Sequence, residues 1–237
     1  MSVTPFQNGK LLLLEKPLGW TSFDLVNKVR FAIEKQFKLK RMSIKVGHAG
    51  TLDPLATGLM LICTGKFTKQ IDSFQGLPKT YTGTFTLGGT TVSFDLEKEV
   101  DQHFPTEHIT EEMIREVALS FIGKHDQEPP VFSAKKIDGE RAYDLARAGK
   151  DVKMKTSPIE ITTFEITRIA LPEVDFKIDC SKGTFIRSLA RDFGVALKSG
   201  AYLSSLRRTA IGTHLVENAQ TIELLINMIR DTSSPNY

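Results

Sequence analysis

One loop of the sequence brings glycines, a histidine and a carboxylate close together. Residues 47–58 read Gly-His-Ala-Gly-Thr-Leu-Asp-Pro-Leu-Ala-Thr-Gly and precede a strongly apolar run. Glycines let the backbone turn tightly and approach a ligand, and Pro54 biases Asp53 towards an extended conformation. The loop is therefore predicted to hold the Asp53 carboxylate at a fixed angle, where it could act as a nucleophile or a base. An Asp-Pro step taken alone is more typical of a turn.

The predicted helices and strands would hold this loop and two further candidate side chains, Tyr81 and Arg187, in position. A helix capped by residues 21–24 precedes the loop, and its apolar stripe comprises Phe23, Val26, Val29 and Ile33; a short buried strand over residues 59–63 follows the loop. Tyr81 begins a strand of alternating polar and apolar residues, and its phenol suits proton transfer as well as a core position. Arg187 lies in a helix over residues 186–197, where its guanidinium could hold a carboxylate or simply cover the helix flank.

Composition narrows the class of protein. With 237 residues, 41% of them hydrophobic and 25% charged, the chain suits one soluble domain or two lobes. The apolar run at residues 11–14 is too short for a membrane span or a signal peptide, so we expect a cytoplasmic protein. Cys63 and Cys180 are predicted to be reduced core residues. The five histidines lack metal-ligand spacing, so no metal is expected, and His48 is either a structural residue or a ligand contact.

Charge is unevenly distributed along the chain, although the formal net charge is only +3. Residues 28–45 contain seven basic residues and one acidic residue, and residues 181–208 contain six and one. Residues 95–128 contain ten acidic and three basic residues. A basic run usually marks a solvated helix face, but two such runs near the candidate site favour phosphate contacts with a nucleic acid. We therefore expect one basic face and one acidic face.

Periodicity in the rest of the chain predicts helices interleaved with strands. Helical patterns cover residues 23–33, 67–74, 109–121, 140–148 and 222–229, and strand patterns cover residues 80–87, 159–169 with a bulge, and 174–180. Residues 126–133 are predicted to form a loop and residues 231–237 a disordered tail. This order favours an α+β fold with a central mixed, largely antiparallel sheet and flanking helices.

The loop around Asp53 closely resembles the catalytic motif of the TruB family, bacterial enzymes that make pseudouridine at position 55 in the T arm of tRNA. Further similar segments follow in the family's order, and together they span roughly residues 9–215. They are the opening segment at 11–22, the tyrosine strand at 79–81, the RNA-gripping insertion at 132–136 and 139–147, the arginine motif at 180–187, and the segments at 200–201 and 206–208.

The resemblance implies the pseudouridine synthase fold and its activity. It implies one catalytic domain over residues 1–230 with an insertion at about 124–155. Longer relatives carry a C-terminal PUA domain, and in a departure from them we expect none in this chain. The reaction would be isomerisation of uridine by base flipping, with an Asp-dependent break of the N1–C1′ bond and rejoining at C5, and without a cofactor. The route of Asp53 attack, on the sugar, on the base or by elimination, stays open.

The resemblance also assigns roles to individual residues. Asp53, Tyr81 and Arg187 match the family's catalytic positions. The substrate-binding positions match His48, Phe185 and Leu206, although many relatives have tyrosine at the position of Phe185. The basic residues that we take as RNA-contact candidates are Lys38, Lys40, Arg41, Lys135, Lys136, Arg207 and Arg208.

The implied partner is the T arm of tRNA, bound by a stand-alone monomer without guide RNA. A rival hypothesis is a non-catalytic chaperone that uses its basic surface to open and refold the T arm. A small-molecule hydrolase with an aspartate nucleophile would leave the basic segments unexplained.

Overall fold

The computed structural model describes residues 5–131, 136–137, 140–141 and 154–231. The predicted α+β fold with a mixed, largely antiparallel sheet and flanking helices is confirmed. The chain divides into two compact units, one built from the chain up to residue 81 and from residue 207 onward, the other from residues 82–206. Among the described residues, nine strands form the largest sheet. The single catalytic domain over residues 1–230 stays a prediction.

Within the described part of the chain the helices are α1 (Pro5–Asn8), α2 (Ser22–Gln36), α3 (Ile71–Gly76), α4 (Glu111–Ser120), α5 (Ile186–Ala196) and α6 (Ile222–Asp231). Short 3-10 helices span Gly65–Gln70 and Val216–Asn218. The strands are β1 (Leu11–Lys16), β2 (Val46–His48), β3 (Ala56–Thr64), β4 (Lys79–Leu87), β5 (Gly89–Thr91), β6 (Val100–His103), β7 (Gly123–Gln127), β8 (Lys136–Ile137), β9 (Glu140–Arg141), β10 (Ser157–Ala170), β11 (Glu173–Cys180), β12 (Ala201–Ile211) and β13 (His214–Leu215).

Helix α2 begins with the predicted cap. The Thr21 hydroxyl accepts a hydrogen bond from the backbone N–H of Asp24 at 3.0 Å, and the Asp24 carboxylate accepts one from the backbone N–H of Thr21 at 2.9 Å. This reciprocal pair satisfies two N–H groups that a helix start otherwise leaves unpaired. Val26, Val29 and Ile33 are buried as predicted, whereas the prediction is wrong for Phe23, the first residue of the same apolar stripe, which is 61% exposed.

Strand β3 organises the sheet of the first unit. It pairs antiparallel with β1, from Leu11 opposite Cys63 to Lys16 opposite Gly58. It also pairs antiparallel with β2, with His48 opposite Ile62. Because β2 and β3 are consecutive antiparallel strands, residues 49–55 form the connection of a hairpin, and Asp53 lies in this connection. The sheet therefore fixes both ends of the Asp53 loop.

The second unit contains an antiparallel sheet over an aromatic core. Strand β10 pairs with β11, and its register shifts between Ile161 and Thr163 confirm the predicted bulge. The rings of Phe85 and Phe176 lie 4.3 Å apart between centroids. Strand β10 also pairs with β7, so the predicted loop is wrong at residues 126–127, which lie opposite Pro158 and Ser157. The five residues of β7 have no apolar alternation to reveal a strand, and the pairing with β10 creates it.

Few residues of the predicted RNA-gripping insertion are described. Glu140 and Arg141 form β9 and pair with Lys136 and Ile137 of β8, so the helix predicted to begin at residue 140 is wrong for these two residues. Residues 138 and 139, between these two strands, lie outside the described part of the chain. Residues 132–135 and 142–153 lie outside the described residues. Asp231 ends α6 instead of beginning the tail, and residues 232–237 also lie outside them.

The cap of α2 can be tested by removing its hydroxyl. We expect Thr21→Ala to lower the free energy of unfolding by about 1 kcal/mol, because the N–H of Asp24 loses its side-chain acceptor. Chemical denaturation of both proteins measures this difference. Thr21→Ser keeps the hydroxyl and is the matched control. Equal unfolding midpoints for wild type and Thr21→Ala would contradict the capping role.

Candidate active site

The Asp53 loop is tied to the start of helix α2 by one serine. The Ser22 hydroxyl donates to the carbonyl of Leu52 at 3.0 Å and accepts from the N–H of Leu52 at 2.8 Å. Ser22 and Leu52 are both buried. The Ser22 hydroxyl therefore fixes the backbone of Leu52, the residue before Asp53, through both its N–H and its carbonyl. Asp53 itself is partly exposed.

A buried lysine supports the other side of the loop. The Lys16 ammonium donates to the carbonyls of Trp20 at 2.6 Å, Pro17 at 2.9 Å and Pro54 at 3.3 Å. Burial lowers the pKa of Lys16 to about 8, and the nearby Asp53 carboxylate partly opposes this shift. Lys16 lies in the opening segment that resembles the family, but no role was predicted for it, so its support of the loop was missed.

His48 ends strand β2, at the beginning of the same connection. Its Nδ1 atom is buried and makes no hydrogen bond to any part of the chain that the structure describes. Burial and the positive charge of Arg208 lower the pKa of His48, and the backbone of Gly50 only partly offsets them. Because the ordinary pKa of histidine is already below 7, the ring is neutral at physiological pH. A neutral ring suits contact with an uncharged base better than contact with a phosphate.

Tyr81 and Lys79 lie on the same face of strand β4, two residues apart. Both are buried. The Lys79 ammonium donates to the carbonyls of Gln75 and Leu77, each at 2.6 Å, and so fixes the end of helix α3 next to the strand. The predicted strand position of Tyr81 is confirmed.

In the second unit, Arg187 lies in the first turn of α5 and belongs to a buried polar cluster. It is only 4% exposed. Its Nε lies 3.5 Å from the Asp95 carboxylate, and its Nη1 donates to the carbonyl of Ser93 at 3.3 Å. Asp95 is also buried, and its carbonyl accepts from the Thr91 hydroxyl at 2.7 Å. Asp95 was missed because it stands in a strongly acidic stretch with no local pattern to distinguish it.

Phe185 precedes α5 and is held by a buried amide. Its N–H donates to Gln127 Oε1 at 2.8 Å, and Gln127 Nε2 donates to its carbonyl at 3.1 Å. This two-way clamp fixes the backbone of Phe185 and leaves its ring partly exposed. Leu206, near the end of the second unit, is also partly exposed. His48, Asp53 and Tyr81 belong to the first unit, so the pairing of Asp53 with Arg187 stays a prediction.

The RNA-contact candidates differ in their surroundings. Lys38, Lys40 and Arg41 are exposed in the turn that follows α2. Arg207 is partly exposed and forms an ion pair with Glu15. Lys135 and the side chain of Lys136 lie outside the described residues.

Arg208 does not fit the expected RNA contact. Its side chain is buried, and its guanidinium donates to the carbonyls of Leu59 at 2.8 Å and Gly50 at 3.1 Å. A guanidinium enclosed in this way cannot reach a phosphate. The sequence suggested an RNA contact because a basic residue is exposed far more often than buried.

The described residues include neither a membrane-spanning helix nor a metal-binding cluster. None of these helices has the length and apolar character to cross a membrane. No group of three or more histidine, cysteine or acidic side chains within the same residues could hold a metal ion.

The sequence matches a family of pseudouridylate synthases and relatives named as such enzymes. The family model for the N-terminal domain of TruB family pseudouridylate synthases matches residues 35–186. The chain is 55% identical over 224 residues to tRNA pseudouridine synthase B of Flavobacterium johnsoniae, covering 94% of this chain and 97% of that relative. It is 54% identical over 218 residues to tRNA pseudouridine synthase B of Phocaeicola vulgatus, covering 92% of each.

The fold also matches a solved structure. The chain matches one in the crystal structure of a Cbf5-Nop10-Gar1 complex with a TM-score of 0.68 and 27% identity. The match covers 94% of this chain and 54% of that one, so this chain spans about half its length. From the family model and the relatives, the chain belongs to the TruB family of pseudouridylate synthases.

The buried lysine predicts a pH dependence of stability. The pKa of Lys16 falls from 10.5 to about 8 on folding, so the unfolded chain binds its proton more tightly. Below pH 8 both the folded and the unfolded chain hold the Lys16 proton, so the folded state bears the full cost of burying a charge. As the pH rises towards 10.5, the folded chain has lost this proton and the cost disappears. We expect wild type to gain unfolding free energy relative to Lys16→Met over this range.

Denaturation of both proteins at a series of pH values from 7 upward measures the gap between their unfolding free energies. Lys66→Met, on the surface of the same unit, controls for the loss of one lysine charge. A gap between wild type and Lys16→Met that does not change with pH would contradict a lysine with a lowered pKa.

Proposed function

We propose that this protein isomerises uridine to pseudouridine at position 55 in the T arm of tRNA. Membership of the TruB family and relatives named tRNA pseudouridine synthase B support this reaction. The observation that carries the proposal is the Asp53 loop, whose backbone is fixed by Ser22 and Lys16 while Asp53 itself stays partly exposed. A group that attacks a substrate must be held in position and yet be reachable.

The chemistry requires no change in oxidation state. The bond between uracil N1 and ribose C1′ breaks, the base rotates, and a bond forms between C5 and C1′. C5 loses a proton and N1 gains one, so the product is an isomer of the substrate. Asp53 can attack the sugar or the base as a nucleophile, or remove a ribose proton and so assist elimination. All three routes use an ionised carboxylate at the start.

The other site residues would hold the flipped nucleotide and move its protons. Arg187 would favour the charged form of Asp53, and the buried Asp95 keeps its guanidinium in place. Tyr81 offers an aromatic face for the base and a phenol for proton transfer. Phe185 and Leu206 would line the uracil pocket. Because Phe185 lacks a hydroxyl, any hydrogen bond that tyrosine makes there must be absent or replaced.

His48 would contact the flipped nucleotide or fill the space that the base leaves in its stack. Its neutral ring and unpaired Nδ1 suit either role, since a base edge can supply the missing hydrogen bond.

The exposed basic turn after α2 would bind the tRNA backbone. Lys38, Lys40 and Arg41 project from it, and Arg207, Lys135 and Lys136 are further candidates for phosphate contacts. We propose a cytoplasmic monomer that acts without guide RNA. The same exposed turn also suits a chaperone that binds the T arm without chemistry, so the two functions must be separated by experiment.

Tritium release from tRNA labelled at uridine C5 tests catalysis by Asp53. We expect Asp53→Asn to slow release by at least about 100-fold, because a positioned acid–base or nucleophilic group contributes on this order. Its tRNA affinity should stay close to that of wild type, since the side chain keeps its shape. Asp72→Asn, on the exposed side of α3, is the matched control. Mapping the product should place pseudouridine at position 55 alone. Release by Asp53→Asn at the wild-type rate would contradict the role of Asp53, and binding without release by wild type would favour the chaperone.

Salt dependence tests the basic turn. We expect Lys40→Gln and Arg41→Gln each to weaken tRNA binding and to reduce the slope of log affinity against log salt by about 1, because each removes one phosphate contact. Filter binding over a range of salt concentrations measures both quantities. Lys177→Gln, on an exposed position of β11, controls for net charge. If the salt slope is unchanged in the Lys40 and Arg41 variants, the RNA does not contact this turn.

A further inference from the structure

We propose that Arg208 is a positioning residue for Asp53, which acts through the backbone of the loop and touches no RNA. The inference rests on the proposed function, because it assigns a role in the reaction of Asp53. It concerns residues of the first unit only.

The Arg208 guanidinium makes a set of contacts that converge on the loop. Nε donates to the carbonyl of Leu59 at 2.8 Å, and Nη2 donates to that of Gly50 at 3.1 Å. Nη1 lies at the long limit of 3.5 Å from the carbonyl of Thr51, and Nη2 lies 3.2 Å from the Met60 sulfur. The residue is 1% exposed. One side chain therefore joins the beginning of the loop to the strand that follows it.

With Arg208 included, five consecutive carbonyls of the loop accept hydrogen bonds. Those of Gly50 and Thr51 face Arg208, and that of Leu52 faces the Ser22 hydroxyl. The carbonyl of Asp53 accepts from the N–H of Ala56 at 3.0 Å. The carbonyl of Pro54 accepts from the N–H of Gly19 at 2.8 Å and from the Lys16 ammonium at 3.3 Å. Asp53 thus lies between the anchoring points of two buried cations, and Arg208 supplies the one that precedes it.

Close backbone packing fixes Arg208 itself. A Cβ atom at Gly58 would lie 2.3 Å from the carbonyl oxygen of Arg208 and 2.8 Å from its nitrogen, so only glycine allows this approach. Gly58 also has a φ of +103°, which favours glycine. The base of the arginine is therefore held against the strand that leaves the loop, and its guanidinium reaches back to the beginning of the loop.

The contacts require a guanidinium and not merely a positive charge. Its planar fork presents Nε and Nη2 to two carbonyls, Leu59 and Gly50, on different parts of the hairpin. An ammonium is a point charge with no such fork and cannot satisfy both in the same geometry. Lysine at this position should therefore keep the charge and lose the connection.

The test compares Arg208→Lys and Arg208→Met with wild type in single-turnover pseudouridine formation. A displacement of about 1 Å in a catalytic group costs on the order of 100-fold in rate. We expect Arg208→Met to lose about this factor and Arg208→Lys at least about 10-fold, with tRNA affinity and its salt dependence close to wild type. Arg168→Met, which removes an exposed arginine paired with Glu173 and Asp175, is the matched control.

Rescue separates positioning from a general loss of stability. We expect added guanidinium chloride to restore part of the rate of Arg208→Ala, whereas sodium chloride at equal concentration does not, because only the former replaces the missing fork. Each variant is assayed well below its own melting midpoint. Amide hydrogen exchange of Leu52 and Ala56 should be faster in Arg208→Lys than in wild type, and unchanged in Arg168→Met.

Three results overturn the proposal: a wild-type rate constant in Arg208→Lys, a loss confined to tRNA affinity, or no rescue by guanidinium. A loss of affinity with a smaller salt slope would restore Arg208 as a phosphate contact. If wild type itself forms no pseudouridine, the proposed function fails first, and this is visible before any variant is compared.

Discussion

Hydrogen bonds to the backbone carbonyls of residues 50–54 are the constraint on which the candidate site depends. A surface loop normally leaves such groups to water, which allows many conformations. Here buried donors from three separate segments replace the water: Ser22 from α2, Lys16 from β1 and Arg208 from β12. The backbone on both sides of Asp53 is thereby held by the protein, while Asp53 itself remains partly exposed. The loop can carry a reactive group because the carbonyls of residues 50–54 already have hydrogen-bond donors within the protein.

This arrangement has a cost in stability. Burying a cation is unfavourable, and the lowered pKa of Lys16 reflects that penalty. The second unit uses buried polar groups in a similar way, since Gln127 clamps the backbone of Phe185 and Asp95 holds the guanidinium of Arg187. In both units the supporting side chains are buried, whereas Asp53 and the Phe185 ring stay partly exposed.

Local patterns in the sequence predicted the local structure. The cap of α2, the alternating strand of Tyr81 and the bulge in β10 each depend on neighbours in the chain, and all three are confirmed. Strand β7 and the roles of Gln127 and Arg208 depend on distant partners and were missed. Gln127 and Phe185, for example, are 58 residues apart. A single sequence carries no sign of such a pair, and a basic residue in it is taken as exposed because most are.

A crystal structure of the protein with a T-arm stem-loop RNA would test the central claim most directly. If the loop is preset, the carbonyl contacts of residues 50–54 will be the same as in the free protein. The Asp53 carboxylate will then lie within about 3 to 3.5 Å of a reacting atom of the flipped uridine, the distance expected before reaction. A loop that rearranges on binding, or a uridine bound away from Asp53, would contradict the account.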